Sequence, residues 1–399
     1  MLFLACILLV LIPLILEKLL ISRWQRCVPL RIHVHGTRGK STVTRILASL
    51  LREAGHVVLS KTTGDRPEYE FPDASTRPVR RVGPARIQEH VKILRLAARL
   101  KATAVVVEGM ALQDETLAVS EKMLQATHAV ITNVRPDHSE TMGQGRANVA
   151  RALSFMLPPG RPVFTAREDG VEEVCRHARN LNCDCHVVES EMVGSGTPRQ
   201  ENGNAPMLEQ PLQLALAVAE HLHGQVPVIE NQRSSARCGL CHDTAPSPVS
   251  LLDIAGVRVI WLDLFSVNDV DSSRLLLDAL WNNLPTPAWF VAILATRQDR
   301  PMRTAVFMDW LQHEPRFDLL APTGSHAWAA WCRSPARSLF LPNPLCEPYA
   351  LLHKLAQERQ KGGRQAAHPM VLVGLGNSHG YGERWRAMIS QARETSHVS

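Results

Sequence analysis

Apolar residues recur along the chain in two patterns, and the two patterns alternate. Short unbroken apolar runs are typical of buried parallel strands, whereas apolar positions at steps of three and four are typical of amphipathic helices. We predict strands at 30–35, 56–60, 103–108, 128–134, 163–166, 186–189, 257–265, 289–296 and 370–375. Helical patterns are found at 42–54, 86–100, 212–222 and 274–284, with Ser272 as the predicted N-cap of the last. This alternation predicts an α/β fold with mostly parallel sheets.

Two stretches interrupt the alternation. Residues 65–83 are rich in Pro, Arg and acidic residues without periodicity, and we predict a long loop that faces substrate. Residues 230–250 are polar and non-periodic, and we predict a linker between domains. A chain of 399 residues is long enough for two domains. We therefore expect a central domain at 28–229 and a smaller C-terminal α/β domain at 251–399.

The first 22 residues are almost continuously apolar and predict a membrane-anchor helix. A span needs about 20 residues, so this segment crosses a bilayer only if Glu17 and Lys18 lie near a membrane face. Basic residues follow from Arg23 onward, and by the positive-inside rule they keep the rest of the chain in the cytoplasm. We therefore expect the protein at the inner (cytoplasmic) membrane. An apolar helix buried in the soluble core is the alternative.

The overall composition is that of a globular protein, with 45% hydrophobic and 21% charged residues. The net charge of +6 suits anionic substrates. The basic residues are scattered and show no aromatic-basic stacking pattern, so we expect no nucleic-acid partner. Nine cysteines, an odd number, indicate reduced thiols rather than a disulfide framework. The clusters at 183–186 and 238–242 combine Cys with His and could together bind structural zinc, with surface thiols as the alternative.

Residues 36–41 read Gly-Thr-Arg-Gly-Lys-Ser and lie between a predicted strand and a predicted helix. The two glycines allow the backbone to turn its N–H groups toward an anion. The Lys40 ammonium is suited to the outer phosphates of a nucleotide, and the Ser41 hydroxyl to a Mg²⁺ ion beside them. We predict a nucleotide-binding loop formed by Gly36, Thr37, Arg38, Gly39, Lys40, Ser41 and Thr42. A Gly-Lys turn that opens an ordinary helix is the alternative.

This loop resembles that of the Mur ligase superfamily, ATP-dependent enzymes that join an amino acid to a carboxylate. Its form G-T-x-G-K-S is shorter than the G-x-x-x-x-G-K-S loop of other nucleotide-binding proteins. Within the superfamily, the run R-G-K-S-T-V-T-R resembles the ligase component of poly-γ-glutamate synthase. The resemblance implies a Mur-ligase-like P-loop central domain followed by a smaller C-terminal α/β domain.

A carboxylate ends the apolar run at 103–108. In open α/β sheets ligands gather at the carboxyl ends of strands, so we expect Glu108 to emerge beside Ser41. Carboxylate and hydroxyl oxygens suit Mg²⁺, and the Thr62 hydroxyl at the end of the preceding predicted strand suits the same shell. The superfamily carries a glutamate in this role. A salt-bridged glutamate at a strand end is the alternative.

Residues 133–143 resemble the superfamily signature N-x-x-x-D-H-x-(D/E)-x-x-G. The resemblance implies that His138 binds a second metal ion near the reacting phosphate and takes part in catalysis. Imidazole is a poor ligand for Mg²⁺ by hardness, so this role rests on the resemblance alone.

The C-terminal half carries two further motifs. N-D-x-x-S-S at 268–273 resembles the family segment in which Asn268 and Asp269 would contact nucleotide, with strand-turn-cap chemistry as the alternative. R-x-D-R at 297–300 also resembles the family, and Arg297 or Arg300 would neutralise the transferring γ-phosphate.

The resemblance implies an ATP-dependent ligase that uses ATP and Mg²⁺ to form γ-glutamyl-type amide bonds through an acyl phosphate. Its substrates would be glutamate or a growing poly-γ-glutamate chain. Its partners would be the membrane and membrane-bound synthase or export subunits. Two alternatives stay open, namely a membrane-tethered P-loop NTPase switch or kinase that forms no amide, and a ligase of the same family with another amino-acid substrate.

Overall fold

The computed structural model describes residues 2–64, 67–81, 83, 85–136, 139–189, 205–223, 249–254, 257–265, 267, 269–334, 337–341, 343–361 and 368–396. The chain divides into two compact units. Unit 1 comprises Met1–Thr197 and Met207–Thr244, and unit 2 comprises Pro198–Pro206 and Ala245–Ser399. Only the last two residues of the predicted linker at 230–250 are described. The domain boundaries given above therefore stay predictions.

Unit 1 alternates strands and helices in the order that the apolar pattern indicates. Its strands are β1 (Leu30–His35), β2 (Val58–Lys61), β3 (Glu68–Glu70), β4 (Thr76–Pro78), β5 (Ala104–Glu108), β6 (His128–Ile131), β7 (Val163–Ala166) and β8 (Cys185–Val188). Its helices are α1 (Leu2–Cys27), α2 (Lys40–Glu53), α3 (Glu89–Arg99), α4 (Asp114–Leu124), α5 (Ser139–Met142), α6 (Gly145–Ser154), α7 (Val171–Asn180) and α8 (Ala205–His223). The predicted strand at 163–166 is confirmed at both ends.

The strands of unit 1 form one sheet in the order β4-β3-β2-β5-β1-β6-β7-β8. The six strands from β2 to β8 in this order are parallel, and β3 and β4 join one edge as an antiparallel hairpin. Helices α2 and α8 pack on the sheet through buried aliphatic residues such as Leu47 and Leu212. Apolar side chains on both faces of β5 are buried, which explains its unbroken apolar run. The predicted α/β fold with a mostly parallel sheet is confirmed.

The hairpin corrects one prediction from the sequence. Residues 65–83 were expected to form a loop without regular structure, but β3 and β4 pair through Glu68↔Pro78 and Glu70↔Thr76. Each strand has three residues, and none of the six is buried. Such short polar strands carry no apolar alternation, so a sequence pattern has nothing to detect.

The C-terminal end of helix α1 packs against the rest of unit 1. Trp24 packs against the core, and the Gln25 side chain donates to the carbonyl of Met123 at 2.9 Å. Nearer the N-terminus, the described apolar side chains are exposed, and they include Phe3, Leu9, Leu11, Ile12, Leu14, Ile15, Leu16, Leu19 and Leu20. Over the ranges that the structure describes, no helix has both the length and the apolar character to cross a membrane. The predicted anchor at 1–22 is therefore not confirmed.

Unit 2 is a second, smaller α/β fold. Its strands are β9 (Val249–Ile254), β10 (Val257–Asp263), β11 (Trp289–Thr296), β12 (Leu319–Gly324) and β13 (Met370–Gly376). Its helices are α9 (Val270–Trp281), α10 (Pro301–His313), α11 (Ala327–Cys332), α12 (Pro348–Lys361) and α13 (Tyr381–Ser396). The sheet order is β12-β11-β13-β10-β9, with β9 antiparallel at one edge. The predicted strand at 289–296 is confirmed, because all eight of its residues are buried.

The start of α9 corrects a second prediction. We expected Ser272 to cap a helix at 274–284, but α9 begins at Val270 and its N-cap is Asp269. The Ser272 backbone N–H donates to Asp269 Oδ1 at 2.8 Å. Aspartate and serine are equally good caps, so only the true first turn distinguishes them.

Candidate functional site

The loop after β1 has a backbone that only glycine allows at its first position. Gly36 has φ +128°, and a Cβ there would lie 2.2 Å from Thr132 Oγ1 and 3.0 Å from backbone atoms of Asn133. The loop therefore packs directly against the segment that follows β6. Gly39, with φ +74°, is the N-cap of α2. The two glycines thus place the loop and start the helix, as their positions in the sequence indicate.

Asn133 holds the loop in shape. Its Oδ1 accepts from Thr37 Oγ1 at 2.6 Å and from the Arg38 backbone N–H at 2.9 Å, and its Nδ2 donates to the Arg38 carbonyl at 3.0 Å. The Thr132 hydroxyl donates to the same carbonyl at 2.6 Å. Thr132 and Asn133 are buried, so these bonds are shielded from water. The loop is thereby preorganised by two residues that our sequence reasoning did not include among the site residues.

The N-terminus of α2 and Lys40 bring positive potential to this loop. The first N–H groups of a helix point out of its N-terminal end, which makes α2 suitable for an anion at Lys40, Ser41 and Thr42. Lys40 Nζ donates to the carbonyls of Gly36 at 2.9 Å and Thr37 at 3.4 Å. The ammonium group is therefore held at the loop itself.

Ser41 and Glu108 meet at the carboxyl ends of β1 and β5. Ser41 Oγ donates to Glu108 Oε2 at 2.7 Å, and the Thr63 backbone N–H donates to the same oxygen at 2.7 Å. Glu108 is only 2% exposed. The Thr62 hydroxyl instead accepts from the Glu68 backbone N–H at 3.3 Å, and its metal-binding role stays a prediction. The Ser41 hydroxyl and the Glu108 carboxylate, which belong to two separate segments, thus lie together beside the loop.

His35 connects the loop to the segment after β5. Its Nδ1 accepts from the Gly36 N–H at 2.9 Å, and its Nε2 lies 2.9 Å from the Ala111 carbonyl, so a neutral ring with the proton on Nε2 satisfies both contacts. Burial, followed by the positive charge of Lys40, lowers the pKa of His35 well below its usual value. Our sequence reasoning missed His35, although a histidine that ends a buried strand just before a glycine loop is a recognisable signal.

The helix α8 also contacts the loop. Pro211 Cγ lies 3.6 Å from the position that a Cβ of Gly39 would occupy, and Gln210 Oε1 accepts from Arg135 Nη2 at 3.3 Å.

His138 lies outside the described residues, so its predicted metal-binding and catalytic roles stay predictions.

In unit 2, the predicted arginines lie after β11. Arg297 forms a two-bond ion pair with Asp299, with Nε to Oδ1 at 2.9 Å and Nη2 to Oδ2 at 2.6 Å. The hydrogen bonds from Arg297 lower the pKa of Asp299. Arg300 is the N-cap residue of α10. Neither arginine is fully buried.

The ends of β11 and β13 in unit 2 are joined by Asn377. Its backbone N–H and its Nδ2 both donate to the Ala295 carbonyl at 3.0 Å, and its Oδ1 accepts from Arg303 Nη1 at 3.0 Å. Asp269 is buried, and its Oδ1 caps α9, as in the capping alternative given above. Asn268 lies outside the described residues. The nucleotide contacts of these two residues stay predictions.

The oxygen set of unit 1 fits a magnesium ion beside phosphates. Mg²⁺ prefers one or two carboxylates, phosphate oxygens and water, and Glu108 and Ser41 supply the protein part of that shell. In the chain as described, no three His, Cys, Asp or Glu side chains come together as a metal-binding group.

Of the two cysteine clusters considered for zinc, the one at 238–242 lies outside the described residues, and the Cys185 thiol faces that of Cys175 at 2.6 Å.

Comparison with known proteins first defines the class of fold. Residues 34–191 match the Mur ligase middle domain. Two solved structures share the fold: MurF from Acinetobacter baumannii, with a TM-score of 0.62 and 17% identity over 94% of this chain and 80% of that one, and folylpolyglutamate synthase from Mycobacterium tuberculosis complexed with ADP, with a TM-score of 0.61 and 16% identity over 94% and 93%. The Mur-ligase-like fold is therefore established.

A more specific similarity comes from the second half of the chain and from two relatives. Residues 250–392 match the C-terminal domain of poly-γ-glutamate synthase CapB. The chain is 32% identical to a capsule biosynthesis protein CapB of Bacillus anthracis over 208 residues, which are 50% of this chain and 44% of that protein. It is 35% identical to the PGA synthase CapB of Bacillus subtilis over 197 residues, 48% and 50% of the two. The alignments span about half the length of these relatives. The resemblance to the ligase component of poly-γ-glutamate synthase is thereby confirmed.

Proposed function

We propose that the protein is an ATP-dependent amide ligase that forms γ-glutamyl-type isopeptide bonds through an acyl phosphate, in poly-γ-glutamate synthesis. The observation that carries the proposal is the convergence of Ser41 and Glu108 beside the Gly36–Lys40 loop. The relatives support the choice of polymer, because one is named as a capsule biosynthesis protein and the other as a PGA synthase. The neighbour with bound ADP supports ATP as the nucleotide.

In the first step, a terminal carboxylate of the acceptor attacks the γ-phosphorus of ATP. The bond to the β,γ-bridging oxygen breaks, and ADP leaves as the acyl phosphate forms. Lys40 and the N-terminus of α2 stabilise the negative charge on the phosphate oxygens. Ser41 and Glu108 would hold Mg²⁺, which supplies further charge neutralisation when bound. Asn133 and His35 keep the loop in its binding conformation.

In the second step, the amine of the incoming amino acid attacks the acyl carbon. The tetrahedral intermediate collapses, phosphate leaves with the electrons of the C–O bond, and the amine loses a proton. No covalent enzyme intermediate is required, so catalysis rests on alignment and charge neutralisation. Arg297 and Arg300 of unit 2, and His138, are proposed to contribute to that neutralisation.

We also propose that α1 associates with a membrane and that the protein works with membrane-bound synthase or export subunits. The exposed apolar side chains described between Leu11 and Leu20 support this, because a group of apolar side chains of this kind favours contact with lipid or another protein. The site would then lie at the inner (cytoplasmic) membrane face, where polymer is exported.

The test incubates the full chain with ATP, Mg²⁺ and glutamate or glutamate oligomers, and follows ADP release together with isopeptide product. We expect ADP and amide to form in equal amounts and to fall about 100-fold or more in Lys40→Ala. The matched control is Lys122→Ala, an exposed lysine on α4 of the same unit. ADP release that needs no amino acid and yields no amide would instead indicate the NTPase switch. Amide formed only with another amino acid would indicate a family ligase of different substrate.

A further inference from the structure

A cavity of ≈ 810 Å³ lies in unit 1 and is lined by none of the site residues assigned above. Its walls come from the β3–β4 hairpin, from the segment that follows it and from the first turns of α3. The volume falls within the range of roughly 300–1,000 Å³ that is usual for ligand sites. Five cations and one anion line it: Arg77, Arg80, Arg81, Arg86, Lys92 and Glu89.

The single anion in the wall is already neutralised. Glu89 accepts from Arg81 at 2.8 and 3.1 Å through both carboxylate oxygens, and Lys61 Nζ lies 2.7 Å from its Oε2. Burial raises the pKa of Glu89, but the hydrogen bonds from Arg81 and Lys61 outweigh it and lower the pKa to about 2. Glu89 therefore fixes Arg81 and Lys61 in place and leaves no negative charge to attract a cation.

The remaining cations face solvent and the cavity. Arg80, Arg86 and Lys92 are exposed, and none of them has an ion-pair partner among the residues that the structure describes. The Arg77 guanidinium lies 4.8 Å over the ring of Phe71, which orients it. The cavity thus presents several positive groups at separate points along its wall. This arrangement suits an extended ligand with repeated negative charges better than a single small anion.

One strand connects the cavity to the candidate active site. Lys61, which binds Glu89 of the cavity, is the last residue of β2 and is fully buried. Two residues later, the Thr63 N–H donates to Glu108. Tyr69 of the cavity wall lies opposite Lys61 in the β2–β3 ladder. The cavity and the Ser41–Glu108 pair are therefore built on the same rigid elements.

We propose that this cavity binds the acceptor polymer through its free carboxylates, a few residues behind the end that reacts. The inference rests on the proposed function and adds a subsite to it. A γ-linked glutamyl chain keeps one free α-carboxylate on every residue, and the guanidinium fork matches a carboxylate through two parallel hydrogen bonds. The cavity then makes the enzyme prefer oligomers to free glutamate as the acceptor.

A binding measurement tests the subsite without catalysis. Fluorescently labelled γ-glutamyl oligomers of increasing length are titrated into the full chain in low salt and without nucleotide. In Arg80→Ala/Arg86→Ala/Lys92→Ala, we expect affinity for the long oligomer to fall about tenfold or more, with little change for free glutamate. The charge-matched control is Arg95→Ala/Arg99→Ala/Lys122→Ala, which removes three exposed cations that do not line the cavity. Equal losses in the two triple variants would overturn the proposal.

A kinetic measurement separates this inference from the proposed ligase activity. The triple variant Arg80→Ala/Arg86→Ala/Lys92→Ala is called the cavity variant. We expect its KM for the oligomer to be about tenfold above that of the wild type, while kcat and KM for ATP change less than about twofold. If the wild type makes amide and the cavity variant has the wild-type KM for the oligomer, the subsite is wrong and the ligase stands. If the wild type binds the oligomer but makes no amide, and only the cavity variant loses this binding, the subsite stands and the ligase proposal fails.

A competition experiment tests the chemistry of the ligand. Polyphosphate and single-stranded DNA of matched charge are added to the labelled oligomer complex. Displacement only at much higher concentration than unlabelled γ-glutamyl oligomer supports recognition of carboxylates. If polyphosphate or DNA displaces the labelled oligomer at a lower concentration than the unlabelled oligomer does, and binds less tightly to the cavity variant, the assignment is overturned. The cavity would then be a site for phosphate polymers.

Discussion

The carboxyl ends of the two sheets are built in different ways. In unit 1, the polar side chains at the sheet end are buried: His35, Glu108 and Asn133 are each less than 5% exposed and hydrogen-bond to the loop or to one another. In unit 2, the charged pair at the sheet end lies at the surface, with the Arg297 and Asp299 side chains 33% and 60% exposed.

The side chains at the two sheet ends therefore differ in how firmly they are held. Buried, hydrogen-bonded side chains rigidify their surroundings, so we expect the loop of unit 1 to change little in shape when a ligand binds. An exposed ion pair contributes about 0–1 kcal/mol, so separating Arg297 from Asp299 would cost little. Four substitution experiments test this difference.

Glu108→Gln removes the charge of the buried carboxylate while it keeps the size of the side chain. We expect ATP-dependent amide formation to fall about 10²–10³-fold, because charge stabilisation next to the transferring phosphate is lost. The fold is checked by thermal melting. Glu115→Gln, an exposed glutamate in the first turn of α4, is the control and should keep wild-type activity. A Glu108→Gln variant within about threefold of the wild type contradicts the assignment of the site.

Asn133→Ala deletes three hydrogen bonds that shape the loop. We expect KM for ATP to rise by roughly 10- to 100-fold, since each buried polar group left unpaired costs about 1–3 kcal/mol. Asn148→Ala serves as control, because this exposed asparagine only bonds the Gln144 carbonyl one turn away. Equal KM values in the two variants would show that the loop does not need Asn133.

Arg297→Ala and Asp299→Ala break the same ion pair from opposite sides. Both should change the free energy of unfolding by less than about 0.5 kcal/mol, because the pair is exposed. Only Arg297→Ala should reduce amide formation, by about tenfold, if the guanidinium neutralises phosphate. If both variants lose activity equally, the pair acts as a unit and Arg297 has no separate role.

His35 should make stability depend on pH. Its pKa is lowered in the folded state, so the unfolded chain binds a proton first as the pH falls below about 6.5. The free energy of unfolding should therefore decrease between pH 7 and 5, by at most about 1.4 kcal/mol per pH unit for one proton. Denaturant unfolding should show a smaller decrease in His35→Gln than in His353→Gln, a control at an exposed position of α12. Identical slopes would mean that the pKa of His35 does not differ between the folded and unfolded chain.

The parts of the fold that follow from apolar runs could be predicted. The strands at 163–166 and 289–296 are confirmed at both ends, because every residue in them is buried. The β3–β4 hairpin was missed because its pairing rests on backbone hydrogen bonds between half-buried and exposed residues without an apolar pattern. The start of α9 was missed because Asp269 and Ser272 are both capable caps, and only the hydrogen bond from the Ser272 N–H to Asp269 distinguishes them.

The site could be predicted only where a residue type implies its chemistry. Gly36, Lys40 and Ser41 form a glycine loop that opens a helix, Glu108 ends a buried strand, and the structure brings them together. The side-chain amide of Asn133 hydrogen-bonds to the loop and fixes its shape, but an asparagine after a strand is equally common in ordinary turns. Its role depends on a contact between residues almost 100 positions apart, which local pattern does not reveal.

The β3–β4 hairpin also decides how an extended chain can be bound at this side of unit 1. The outer strand, β4, has only three residues, all exposed, and ends in Pro78, which has no N–H to offer a further strand. If a polymer binds here as proposed, we therefore expect it to be held through its acidic groups rather than as a further strand of the sheet. Retention of that polymer should consequently weaken steeply as ionic strength rises, which would allow the product to be released simply by a change in salt.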